Sequence, residues 1–394
     1  MRRISLLVGA IVLGWGSGLA AQSKPAAQLD VAAIYFPGYH RDMHYDAWFG
    51  EGWNEWKLLA EAPTRFPGQH LFKPEWGAFD EADPKMMERQ VALAAEHGVN
   101  VFIFDWYWYS GVKILYQPLE EGLFKAGNRE RIKFALMWAN HTWNDYFPVP
   151  LDRAMHQLLP IRHSPEDFTR VMEYCARTYF QQPNYWRVNG GLYFSIFDSG
   201  AFVQQLGGPE KTKEVLMAAR RQVEAARLGQ MHFAAFCGDP GEIPRLRDAG
   251  FDSTTCYNLT ASGKAHFPDQ PLDEYTDVMA RSAAFWREMD TGVLPHMPTV
   301  TVGWDPSPRW VKNAPWPPPG ERGYPYTTLV INNTPERFGE LVAQAVKQVK
   351  AARLRPPGIL INAWNEWTEG SVLLPDVKYK TQFLEKLKGA LKRD

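Results

Sequence analysis

The chain has 394 residues, a formal net charge of −1, 45% hydrophobic and 22% charged residues, a balance that allows a sizeable core and gives no electrostatic case for a nucleic-acid partner. The outlier is aromatic content, 14% of residues with 16 tryptophans. Much of it lies beside Gly, Asn, Asp and Glu in loop-like segments, which suits a ligand with apolar faces and hydroxyl edges, such as a sugar.

The first segment, MRRISLLVGAIVLGWGSGLAAQS, opens with Arg2 and Arg3, continues in a short apolar run from Leu6 to Trp15 and reaches small residues at Gly18 to Ala20. This pattern predicts a signal peptide over residues 1–21 and an exported protein, periplasmic or secreted. The run is too short to favour a membrane span, and no later apolar run reaches spanning length, so no stable span is expected after cleavage. An uncleaved anchor or a disordered tail is the alternative. Cys175, Cys237 and Cys256 are too few and too scattered for a disulfide framework. Cys237 and Cys256 fall at the ends of neighbouring strands, which leaves one bridge open; buried free thiols are the plainer expectation.

Strand-like runs then alternate with helical patterns. The strands are expected at Val31–Phe36, Val99–Trp106, Lys133–Ala139, Gly191–Phe197, Met231–Phe236, Asp252–Tyr257, Met297–Gly303 and Gly358–Trp364. Helices are expected at Pro84–His97, Pro165–Phe180, Pro209–Leu228, Glu274–Asp290 and Pro335–Ala352. The strands are continuous apolar runs, so both faces should be covered, as in a parallel sheet. Eight such runs alternating with helices predict an α/β fold, a (β/α)8 TIM barrel with elaborated βα loops. No Gly-x-Gly-x-x-Gly follows the first strand, which leaves the open dinucleotide-binding sheet without support. With no internal repeat and no low-complexity linker, residues 30–394 read as one catalytic domain. A stiff Pro-rich loop spans Asn313–Pro325.

In such a barrel the C-terminal strand ends converge on one mouth. Those ends carry Tyr35 and His40, then Trp53, Glu55 and Trp56; Asp105, Trp106 and Tyr107; Trp138, Asn140, His141 and Trp143; Trp304, Asp305 and Arg309; and finally Asn365, Glu366, Trp367 and Glu369. The strand starts carry little beyond Gly, Lys, Asp and Met, so polarity and aromatics gather at one end, as a sugar-binding mouth requires. Glycosidic cleavage needs one carboxyl group to protonate the leaving oxygen and a second to act as base or nucleophile. Glu366 and Glu369 meet that need, and in a helical first turn both point to one side. Trp364 and Trp367 would then wall the pair and raise the pKa of the less solvated acid. Two acids at this spacing also occur on solvated helix faces or as N-terminal charges on a helix dipole. Glu55 has a structural alternative, pairing with Arg65 or Lys57. Asp105 binds a hydroxyl or caps its loop. His40 and His141 read as hydrogen-bonding groups, because no His-x-x-x-His or Cys pair supports a metal site.

The blocks YFPGYH, WFGEGWNEW, FDWYWYSG, WANHTW, GWDPSPR and NAWNEWTEGSVLLPD, in this order from Val31 onward, resemble the WbsX-like family. That family is similar in turn to the family 99 glycoside hydrolases, endo-α-1,2-mannosidases and mannanases. The resemblance implies a (β/α)8 barrel and a retaining reaction on a poly- or oligosaccharide. It makes Glu366 the general base, deprotonating the sugar's own 2-hydroxyl to give a 1,2-anhydro intermediate, and Glu369 the general acid. It implies no metal or organic cofactor. The strand-end residues Tyr35, His40, Trp53, Glu55, Trp56, Asp105, Trp106, Tyr107, Trp138, Asn140, Trp143, Trp304, Asp305, Asn365 and Trp367 are the expected substrate-binding set. The sequence departs at VLLPD, where relatives carry an acidic residue in place of Leu374. WbsX-like proteins are also labelled glycosyltransferases of surface-polysaccharide assembly. A transferase needs an activated donor, and no Asp-x-Asp motif or phosphate loop is present. A non-catalytic carbohydrate-binding barrel is the third alternative.

Overall fold

The computed structural model describes residues 29–258, 271–318 and 323–392; the segment expected to be a signal peptide lies outside them. Eight parallel strands form the frame: β1 Val31–Tyr35, β2 Val101–Tyr109, β3 Lys133–Trp138, β4 Gly191–Ile196, β5 Met231–Phe236, β6 Ser253–Thr255, β7 Thr299–Thr301 and β8 Ile359–Asn362. They are hydrogen-bonded in the order β6-β5-β4-β3-β2-β1-β8-β7. A bridge from Thr254 to His296, with Met297 N donating to Thr254 O at 2.8 Å, nearly closes the ring between β6 and β7. The (β/α)8 barrel expected from the sequence is therefore the architecture.

The longest helices between strands are α1 Pro84–His97, α2 Pro165–Thr178, α3 Pro209–Ala225, α4 Tyr275–Met289 and α5 Pro335–Ala351, each within three residues of its expected bounds. Local signals set those bounds. Asp83 caps α1 by accepting from Lys85 N, Pro84 sits where its missing N–H costs nothing, and Gly98 ends the helix at φ 93°. Ser164 and Thr334 cap α2 and α5 in the same way.

Strand alternation decides which side chains reach the mouth. Along β2, Asp105 and Tyr107 turn into the barrel, while Trp106 and Trp108 turn out against Tyr174. Along β3, Met137 points in and Trp138 out, onto Phe168 and Phe202. All nine residues of β2 and all four of β8 are buried. Burial on both faces explains why these strands read as unbroken apolar runs. Ile361, wholly buried on β8, is typical; its truncation to Ala costs about 2–5 kcal/mol.

Candidate active site

A cavity of about 560 Å3 opens at the C-terminal ends of the strands, within the usual range for small-molecule sites. Immediately after β8 the chain makes a tight hairpin. Asn365–Glu366 pairs antiparallel with Ser371–Val372, and a single 3-10 turn, Trp367–Glu369, joins them. The expected helical first turn is thus a hairpin turn, and Glu366 and Glu369 both line the cavity. Gly370 closes the turn at φ 65°, where a Cβ would stand 2.8 Å from the Cβ of Asp305.

Arg309, buried on the loop after β7, joins the two carboxylates. Its Nη2 donates to Glu366 Oε1 at 2.7 Å and to Glu55 Oε2 at 3.0 Å, and its Nη1 donates to Glu369 Oε1 at 2.6 Å. The guanidinium carbon also lies 5.2 Å from the Phe147 ring and 5.5 Å from the Phe36 ring. Tyr324 O–H donates to Glu369 Oε1 at 2.8 Å. Thr368 Oγ1 donates to Glu55, and Asp305 N holds the Glu369 carbonyl.

Three buried carboxylates around one cation cannot all carry full charge at low cost. Burial pushes Glu55, Glu366 and Glu369 above the ordinary carboxylate range, and Arg309 pulls each back. Glu366 is raised furthest, because it faces Glu369, Glu55 and Asp105 as well. Tyr324 and Arg309 hold Glu369 lower. Asp105 is raised well up by burial and then by Glu369, and its Oδ1 has no partner. Arg309 stays charged. The result is a buried acid pair held in register by one guanidinium, with Glu369 Oε2 and Asp105 Oδ1 unpaired.

Of the expected site residues, Asp105, Tyr107, Trp143, Trp304, Glu366 and Glu369 line the cavity. The others stand behind it. Trp106 and Trp138 face outward by strand alternation; Trp106 Nε1 donates to Tyr179 Oη at 3.0 Å. Tyr35 likewise turns out and stacks on Phe104 at 4.5 Å. His40 bonds Gln117 at 2.9 Å. Trp53 backs Phe147 at 5.4 Å, and Trp56 donates to Phe79 O at 2.7 Å and packs on Trp367. Asn140 braces the β3 and β4 ends through Asp198. Asp305 accepts from Gln69 at 2.7 Å. Asn365 clamps both backbone groups of Phe36, which fixes the approach to Glu366. Glu55 pairs with Arg309 and not with Arg65 or Lys57; Arg65 donates to loop carbonyls, including Val311 O at 3.1 Å. Trp364 and Trp367 do not wall the pair: Trp364 packs on Phe102 and donates to Gln90 at 2.8 Å. The apolar wall near the acids is Phe36 and Phe147. Leu374 is buried and does not line the cavity, and all three cysteines are free and buried.

Sequence reasoning gave no role to Arg309 or Tyr324. Charge balance was the available signal for Arg309, since glutamates gathered at one mouth need a counter-cation. Tyr324 comes from the Pro-rich loop, and no periodicity would have placed it at the acids.

Among the described residues no group of His, Cys, Asp and Glu is arranged to hold a metal, and no helix is long and apolar enough to cross a membrane. A family model described as glycosyltransferase WbsX matches residues 31–387. Two proteins from strains of Xanthomonas campestris, both described as uncharacterized protein WxcX, are 28% and 27% identical over 384 residues, covering 92% of this chain and 50% of theirs. The chain spans about half the length of the curated relatives it matches. Among solved structures, the GH99 endo-alpha-mannosidase from Bacteroides thetaiotaomicron superposes with a TM-score of 0.60 at 16% identity, over 93% of this chain and 98% of that one. A glycoside hydrolase-like protein gives 0.61 at 15%, over 94% and 96%. At these identities the likeness is one of fold, a glycoside hydrolase-like barrel.

Proposed function

The chain belongs to the WbsX glycosyltransferase family, and we propose that its site cleaves glycosidic bonds of a poly- or oligosaccharide, with retention, through Glu366 and Glu369. One observation carries this: two buried carboxylates line one cavity and share one guanidinium, at 2.7 and 2.6 Å. Glu366 takes the proton of the sugar's 2-hydroxyl as O2 attacks C1. The bond from C1 to the leaving oxygen breaks, and Glu369 gives that oxygen its proton. Glu369 then takes a proton from water, which opens the anhydro ring at C1, while Glu366 returns its proton to O2. Arg309 keeps the pair aligned and offsets the charge that moves between them.

These roles need one proton on the pair, carried by Glu369, and burial raises both carboxyls, which favours keeping a proton there. A sugar hydroxyl donating to Glu366 would favour its ionised form. Asp105, Trp143 and Trp304 hold the sugar in this scheme. The proposal extends to a signal peptide over residues 1–21, an exported unit from residue 30 onward, and activity without metal or organic cofactor.

The family's description favours a second reading, glycosyl transfer, in which a sugar hydroxyl takes the place of water. Purified protein offered α-mannans and bacterial exopolysaccharides should release new reducing ends, and NMR of the first-formed product should show the retained anomer. Transfer from a nucleotide sugar or a lipid-linked sugar, without release of reducing ends, would replace hydrolysis by the second reading. An inverted product would remove the 2-hydroxyl route.

A further inference from the structure

The cavity has two unlike halves. Glu366, Glu369, Arg309 and Asp105 stand on the arc of β7, β8, β1 and β2. The opposite arc, β3 to β6, presents Met137, Ala139, Phe197, Phe236, Cys237 and Cys256.

The backbone polar groups of that wall are engaged within the barrel. Ala139 N donates to Trp106 O at 2.9 Å, Phe197 N to Trp138 O at 3.0 Å and Cys237 N to Thr255 O at 2.8 Å. Phe236 O accepts from Ser199 at 2.6 Å and Cys256 O from Thr299 at 2.5 Å. The Cys237 thiol donates to Asp239 O at 3.1 Å. What faces the ligand is methyl, thioether, thiol and phenyl. The polar groups on this arc lie on the loops beyond the strand ends: His141, which burial disfavours charging, Trp143, whose Nε1 has no partner, Tyr146, whose hydroxyl donates to Thr142 O at 3.2 Å, Tyr257 and Asn258, whose amide donates to Asn362 Oδ1 at 3.0 Å.

A pyranose with its C1–C2 edge at the carboxylates turns its C4–C5 edge to this wall. Seated between Met137, Phe236 and Cys237, a hydroxyl on the C5 substituent would lose its water against apolar groups, whereas a methyl would gain contact. We propose that the sugar held at the Glu366–Glu369 pair is a 6-deoxyhexose, its C5 methyl seated against Met137, Phe236 and Cys237. This rests on the reading of the pair as the cleaving groups, because that reading sets which edge of the ring faces the wall.

The test uses matched nitrophenyl β-glycosides that differ only at C6, glucoside with quinovoside and galactoside with fucoside, each pair in one enantiomeric series, the β anomers placing O2 trans to the leaving group as its attack on C1 requires. The 6-deoxy member should have the higher kcat/KM by about 10- to 100-fold, the range for one small group in an apolar pocket. Met137→Gln, which puts an amide on the wall, should erase most of that preference. Cys237→Ser, a milder change, should act in the same direction. Turnover of the C6-hydroxylated member at an equal or higher rate overturns the wall while leaving the hydrolase standing. Where no pair is turned over, calorimetry of the same glycosides with the full chain decides. Tighter binding of the 6-deoxy member upholds the wall and counts against cleavage; equal binding, or none, overturns the wall.

Discussion

Replacing Arg309 by Met removes the one cation that contacts Glu55, Glu366 and Glu369 among the described residues, while keeping an apolar stem beside Phe36 and Phe147. Three contacts, at 2.6, 2.7 and 3.0 Å, disappear. Removing one partner of a buried ion pair costs about 3–5 kcal/mol while the other remains charged. The carboxylates can escape that cost by taking up protons. All three already sit above 4.5 through burial, and all three are pulled down by Arg309, so its loss raises them further. A carboxylate whose folded pKa exceeds its unfolded value contributes stability that is fully present below the unfolded value. That contribution is lost as pH rises through the folded value. The variant should therefore lose stability with rising pH more steeply than the wild type, at up to about 1.4 kcal/mol per pH unit for each extra proton involved. Denaturant unfolding followed by tryptophan fluorescence, from pH about 5 to about 8, reads this directly. A deficit that is the same at every pH, or no deficit at the alkaline end, would refute the charge balance drawn around Arg309.

Further outcomes follow from the same geometry. Glu369→Gln should cut turnover by several orders of magnitude on substrates with poor leaving groups and far less on dinitrophenyl glycosides, whereas Glu366→Gln should suffer on both; the reverse split would exchange the acid and the base. The pH profile of kcat/KM should be bell-shaped, its limbs reporting the two coupled ionisations of the Glu366–Glu369 pair, both above 4.5 because both groups are raised. A rising limb in the ordinary carboxylate range would contradict the burial of the pair. Gly370→Ala sets a Cβ against Asp305 at φ 65° and should displace Glu369, lowering kcat by about 10-fold or more for a misplacement near 1 Å; an unchanged kcat would show that the turn does not position the acid.

The frame was legible because the same physics that builds a parallel barrel marks its sequence. Doubly covered strands leave apolar runs such as GILI, and caps such as Asp83 with Gly98 fix helix ends. The site was legible at Glu366 and Glu369, where an apolar strand ends in two acids. It failed where neighbours in sequence were taken as neighbours in space. Trp106 and Trp138 follow inward residues by one position and so face the helices. Trp364 and Trp367 flank the acids in the chain and pack away from them. The wall of Phe197, Phe236, Cys237 and Cys256 comes from strand ends that carry no charged motif, so nothing in those residue types marked it in advance.

The Glu366–Glu369 pair is proposed to break glycosidic bonds. The direct measurement is the rate of reducing-end release from a glycan panel by the wild-type chain and by Glu366→Gln and Glu369→Gln, with thermal unfolding recorded for each. The expected result is release by the wild type and a loss of several orders of magnitude in both variants, with folding preserved. Release at near wild-type rates by either well-folded variant would contradict it.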